Sequence, residues 1–162
     1  MARDFDGNDD VGVVTHTASI LLNPAADNYT VSFWVNGPVQ TSGYRFMEKW
    51  NGAGGTGYPF SFTGTSGVAN WSFSLYDGTN LPIASGATVW DNTWHHVLGQ
   101  VSVANDNLTL YVDGVLIRTT TNTTTGSLGA NTHDITIADR GDGLRNMKGK
   151  LAEFTIWGPN TN

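Results

Sequence analysis

A period of two constrains this chain more than any other feature of its sequence. Apolar and polar residues alternate in almost every apolar cluster, and no window sustains the i, i+3, i+4, i+7 spacing of an amphipathic helix. In Tyr29–Asn36 the alternation puts Val31, Phe33 and Val35 on one face and Thr30, Ser32, Trp34 and Asn36 on the other, and Gly37-Pro38 stops the run. Further strands are predicted at 44–50, 58–63, 70–76, 94–103, 108–112, 115–121, 134–138 and 150–157. Turn chemistry separates them at Asn51-Gly52, Asp77-Gly78, Asn105-Asp106-Asn107, Asp113-Gly114 and Gly141-Asp142-Gly143. Residues 94–121 read as a meander of three antiparallel strands. Many short strands without crossover helices lead to a sandwich or a barrel, because open sheets leave too many unpaired edges.

Composition decides between folded and disordered. The chain has 162 residues, of which 39% are hydrophobic and 11% aromatic, so its Thr- and Asn-rich stretches are loops of a folded domain. At this length roughly 70% of the unfolded surface can be buried, enough for a core in one domain spanning 1–162. With no cysteine, disulfide scaffolds and thiolate zinc sites are excluded. Eight Lys and Arg against fourteen Asp and Glu leave no electrostatic footprint for nucleic acid. No apolar run reaches the roughly 20 residues of a membrane helix, and Met1–Asp10 is acidic where a signal peptide is basic and then apolar. Nucleic-acid binding, membrane insertion and signal-directed export are therefore not expected.

Four blocks carry a family resemblance. Phe5-Asp6-Gly7-Asn8-Asp9-Asp10 resembles the opening motif of laminin-G-like domains, and Tyr29–Val35 their first long core strand. Trp94-His95-His96-Val97 with Leu108–Gly114 resembles their central block, and Gly149–Trp157 the closing strand. The blocks occur in family order over almost the whole chain. The resemblance implies an all-β, concanavalin A-like jelly-roll sandwich of two antiparallel sheets. That superfamily includes lectins, pentraxin-like binders, glucanases and adhesion modules, so fold leaves function open.

The residues argue against catalysis. Glycoside hydrolysis generally needs two carboxylates flanking the scissile bond. The laminarinase-type members of the superfamily carry Glu-x-Asp-x-x-Glu, whereas the only glutamates here, Glu48 and Glu153, lie in separate segments. His95 and His96 are adjacent in a strand, so their rings face opposite sides, one packed and one at a sheet surface. His16 and His133 sit in polar loop contexts. There is no Gly-x-Ser-x-Gly, His-Glu-x-x-His or phosphate loop. The protein is read as a non-enzyme.

Carbohydrate binding requires aromatic faces for sugar C–H groups and short amides or carboxylates for hydroxyls. The chain has six tryptophans. The candidates are Trp34 and Tyr111, which alternate away from apolar neighbours, with Trp71, Trp157 and Asn51; Trp50 and Trp90 are further aromatic options. Calcium is the candidate cofactor, because Asp6, Asp9 and Asp10 crowd one stretch and Asp139 and Asp142 flank a glycine turn. The resemblance places a calcium near the N-terminal and closing strands, which adds Glu153. The family's closing Asp-Glu is Ala152-Glu153 here, so one ligand is missing. The Arg140-Gly141-Asp142 triplet reads as a charged turn.

A stand-alone domain of this kind also resembles small phage structural proteins. That implies a decoration or tail-associated protein on the virion surface, assembled in the host cytoplasm. Its expected partners are a cell-surface glycan or polysaccharide, virion proteins or further copies of itself. A fragment of a secreted, extracellular adhesin is the alternative, and a glycoside hydrolase the remote one.

Overall fold

A computed structural model describes residues 1–18, 22–50, 57–125, 131–140 and 144–158. Among them run twelve strands: β1 (Arg3–Asp6), β2 (Gly12–Val14), β3 (Tyr29–Asn36), β4 (Tyr44–Glu48), β5 (Tyr58–Gly64), β6 (Asn70–Tyr76), β7 (Ile83–Ala87), β8 (His95–Ser102), β9 (Asn107–Val112), β10 (Val115–Thr121), β11 (Ile135–Ile137) and β12 (Lys148–Trp157). They form two six-stranded sheets, β1-β12-β3-β8-β9-β10 and β2-β11-β4-β5-β6-β7, and all pairings are antiparallel. No helix among the described residues is long and apolar enough to cross a membrane.

Where alternation is strong the elements lie where the sequence places them: β3, β6 and β10 have the predicted bounds, and β8–β10 form the meander. Three strands escape the pattern. β1 and β2 are short edge strands whose residues, Phe5 apart, are largely solvent-facing, so they show no apolar period. β7, Ile-Ala-Ser-Gly-Ala, is made of small residues and takes its conformation from its ladder with β6.

The inner faces meet in an aromatic core. Phe33, Phe46, Phe60, Phe62, Trp71 and Phe73 are fully buried. Trp71 and Trp90 cross edge-on at 5.0 Å, and Phe46 stacks on Trp90 at 5.1 Å. Two glycines inside strands act as sockets for this core. A Cβ on Gly99 of β8 would meet Phe62 at 2.6 Å and Phe73 at 2.8 Å, the two rings that stack there at 4.7 Å. A Cβ on Gly64 of β5 would overlap the Tyr44 ring at 1.9 Å. The Tyr29 hydroxyl, from the first sheet, donates to the Pro59 carbonyl of the second.

Polar anchors hold the ends. His95 is buried between two carboxylates, with Nδ1 2.7 Å from Asp113 and Nε2 3.1 Å from Asp91. Burial opposes its charge, but the hydrogen bonds and attraction of Asp113 and Asp91 win and its pKa is raised. Lys49, also buried, donates to the His133 carbonyl and lies 3.0 Å from His16 Nδ1, while the His16 amide donates to Asp134. The two loop histidines are thus organised by a lysine from β4's end.

Candidate functional site

The second sheet turns an unusual face away from the core. In β4–β6 the inward positions belong to Phe46, Met47, Phe60, Phe62, Trp71, Phe73 and Leu75, and alternation sends Arg45, Ser61, Ser74 and Tyr76 outward. Register slips in the β4–β5 and β5–β6 ladders let Glu48 and Tyr58 join them: Glu48 pairs with Ser61, and Tyr58 with Tyr76.

At its centre is a buried ion pair. Glu48 Oε2 accepts from Arg45 Nε at 3.1 Å and from Ser61 Oγ at 2.9 Å. The Glu48 side chain is shut off from solvent, and its Oε1 has no hydrogen-bond partner among the described residues. Burial pushes its pKa up to about 7, against the pull of Arg45, Ser61 and Arg140. Beside the pair runs an aromatic row. Trp50 and Tyr58 lie 5.8 Å apart, as do Tyr58 and Tyr76, with tilted rings. The Arg140 guanidinium stands 5.8 Å over the Trp50 ring. Tyr58 Oη lies 3.4 Å from Ser74 Oγ, and Tyr76 Oη donates to the Gly78 carbonyl at 2.9 Å.

This arrangement offers half-buried ring faces, guanidinium donors and hydroxyls close together. Among the described residues the charged groups acting on Glu48 are the cations Arg45 and Arg140, whereas a glycosidase sets a second carboxylate across the scissile bond. Thr93 Oγ1, His95 and Asp113 have the outline of a nucleophile, base and orienting acid, with 3.3 Å from hydroxyl to Nε2. Asp91 occupies both partners: it accepts from Thr93 Oγ1 at 2.6 Å and lies 3.1 Å from His95 Nε2, so with a carboxylate at each ring nitrogen the charged form of His95 is favoured over a free base.

The sequence-predicted residues divide between locations. Trp34, Tyr111 and Trp157 all belong to the outer face of the first sheet, on the other side of the sandwich. Trp71 is corrected: it is 1% exposed, because Trp71, Phe73 and Leu75 share the inward face of β6. Asn51 and Asp142 lie outside the described residues. Of the four residues expected to hold calcium, Asp6 and Asp10 border one cavity and Glu153 lies apart from it. Asp6 faces Lys148 across the β1–β12 ladder, and Glu153 lies five positions further along β12. Asp6 spends both oxygens on Asn8, at 2.8 and 3.1 Å, Asp10 accepts from the Asp6 amide at 3.1 Å, and Asp139 is buried. No three His, Cys, Asp or Glu converge among the described residues, so this set does not fit a shared calcium.

Sequence reasoning missed Arg45, Glu48, Tyr58 and Tyr76 as a group. Tyr76 was legible as the residue alternating away from Trp71, Phe73 and Leu75. The pairing of Glu48 with Ser61 depends on a slipped ladder that leaves no sequence signal.

Comparison with known proteins gives the family and the fold. Residues 6–160 match a laminin G family model described as the concanavalin A-like lectin/glucanases superfamily. The chain belongs to that family. Compared by sequence with curated proteins, it matches none. Among solved structures it is similar to a native heptameric SAP-like pentraxin from Limulus polyphemus, with TM-score 0.66 and 14% identity over 96% of this chain and 75% of the other. It is also similar to domains LG4-5 of the mouse laminin α1 chain, with TM-score 0.66 and 13% identity, covering 94% of this chain and 40% of that one. A third is the CBM40 of Ruminococcus gnavus IT-sialidase bound to α2,3-sialyllactose, with TM-score 0.64 and 9% identity over 93% and 92% of the two chains. At these identities the likeness establishes a shared fold.

Proposed function

We propose that this laminin-G-like domain is a non-catalytic carbohydrate-binding module whose glycan rests on the outer face of β4–β6. The observation that carries the reading is the row Trp50–Tyr58–Tyr76 beside Arg45, held in place by buried Glu48. Ring faces take the C–H side of a sugar, and hydroxyls and guanidinium groups take its oxygens. Arg45 and Arg140 favour a glycan bearing a carboxylate, since they are two of only eight cationic side chains in a chain of net charge −6. The solved CBM40 with sialyllactose supports this reading by its shared fold.

A glycan array probed with the wild type, Tyr76→Ala and Arg45→Ala tests it. Carboxylated glycans are expected to bind the wild type, and each variant to weaken that binding about tenfold or more. An array blank for the wild type overturns the reading. The setting proposed with it, from the family resemblance and the low-charge Thr- and Asn-rich sequence, is the outer surface of a phage particle. Failure to co-purify with particles overturns that setting while leaving glycan binding intact.

A further inference from the structure

The outer face of the first sheet carries a second set of features that the β4–β6 site does not use. Across its ladders Trp157 pairs with Thr30 and Thr30 with Gln100, while Ala152 pairs with Trp34 and Trp34 with His96. Thr30 and Trp34 are four residues apart on β3, about 13 Å of extended strand. Exposed indoles therefore mark both ends of one strip: Trp157 is 53% exposed, Trp34 37% and its neighbour Trp94 40%. Between them Ser32 is buried beside Thr155 and Leu98 on the adjacent strands.

Each end opens into a cavity. One, of about 390 Å³, joins the Trp157 indole to Asp27, Asn28, Thr30 and Gln100. The other, also about 390 Å³, is lined by Trp34, Trp94, Ala152 and Glu153. Glu153 sits in the irregular stretch where the β12–β3 register shifts, at φ 53°, a left-handed conformation unusual for a non-glycine residue. That irregularity lets consecutive residues 152 and 153 both border the cavity. Among the described residues no Lys or Arg lines either cavity.

We propose that this strip is a second saccharide-binding surface, which takes an unbranched neutral oligosaccharide laid along β3 from Trp157 to Trp34 and Trp94. It rests on the reading of the domain as a glycan binder, and it adds a separate face with opposite charge preference. Indole faces stack on sugar C–H surfaces, and Asp27, Glu153 and Gln100 accept or donate to hydroxyls. The two carboxylates, without a cation lining either cavity, repel acidic sugars. Two stacking platforms about 13 Å apart suit a chain of sugars and leave one of them idle with a monosaccharide. With one site on each side of the sandwich, a single copy links two glycan strands.

The test follows the indole N–H signals of the six tryptophans by NMR, with unbranched hexasaccharides of glucose, mannose and galactose, with sialyllactose and with choline chloride. Trp71 and Trp90 are buried and report an intact fold. A neutral hexasaccharide is expected to move the Trp157, Trp34 and Trp94 signals, and Trp157→Ala and Trp34→Ala each to weaken its binding about tenfold or more. Sialyllactose is expected to move the Trp50 signal instead. The second surface is overturned if no hexasaccharide moves the three indoles, or if choline alone moves Trp34 and Trp94, which marks a cation cage. A Trp50 response alone rejects the strip and keeps the β4–β6 site, whereas responses at the strip alone reject the β4–β6 site and keep the strip.

Discussion

Replacing Glu48 by glutamine is expected to remove a pH dependence that the wild type shows. An ordinary glutamate titrates near 4.5, and burial raises Glu48 to about 7 in the folded protein. Between those values the folded state holds a proton that the unfolded chain has released, so stability falls as pH rises. The contribution is fully present below about pH 4.5 and lost as pH rises through about 7. At about 1.4 kcal/mol per pH unit the interval corresponds to about 3 kcal/mol, a large share of the roughly 5–15 kcal/mol that holds a domain together. Arg45 offsets only part of the cost, because a buried pair repays its desolvation only when every lone pair is satisfied, and Glu48 Oε1 is not. Urea unfolding of wild type and Glu48→Gln at pH 5 and pH 8 measures this. The wild type should lose about 3 kcal/mol more than the variant between the two, and the variant should be the more stable at pH 8. Parallel pH profiles would refute the argument that Glu48 is desolvated beneath the site. A carboxylate kept at such a cost on an outward sheet face fits a residue that positions Arg45 for binding.

Other perturbations separate the core, the His95 anchor and the acidic residues Asp6, Asp9 and Asp10. Gly64→Ala drives a methyl into the Tyr44 ring, which Phe46 and Trp90 hold edge-on at 5.3 and 5.1 Å; thermal unfolding should show a loss of about 1–3 kcal/mol or more. His95 has a raised pKa, so its clasp stabilises fully below the ordinary histidine value of 6.5 and is lost as pH rises through the folded value; His95→Asn should flatten the thermal-stability profile above about pH 6.5. Because Glu153 lies apart from Asp6 and Asp10 and no three such ligands group among the described residues, millimolar calcium and then chelator should leave the melting temperature within about 1 °C, and a larger calcium-dependent rise would restore the shared site.

Sequence alone determined the all-β class and the bounds of β3, β6 and β10, because period-two alternation is a local property of an extended chain. It also placed Trp34 and Tyr111 on solvent-facing positions, each flanked by inward apolar neighbours. That these two share one sheet with Trp157 follows from the order β12-β3-β8-β9, which brings residue 157 beside 30 and 111 beside 98. Only the tertiary structure decided the rest. It joined Glu48 to Ser61 through a slipped ladder, set Arg140 over Trp50 from ninety positions away, and made Gly64 and Gly99 sockets for aromatic rings rather than turns. Those outcomes depend on which strands become neighbours, and long-range pairing leaves no periodic trace in the residues that it brings together.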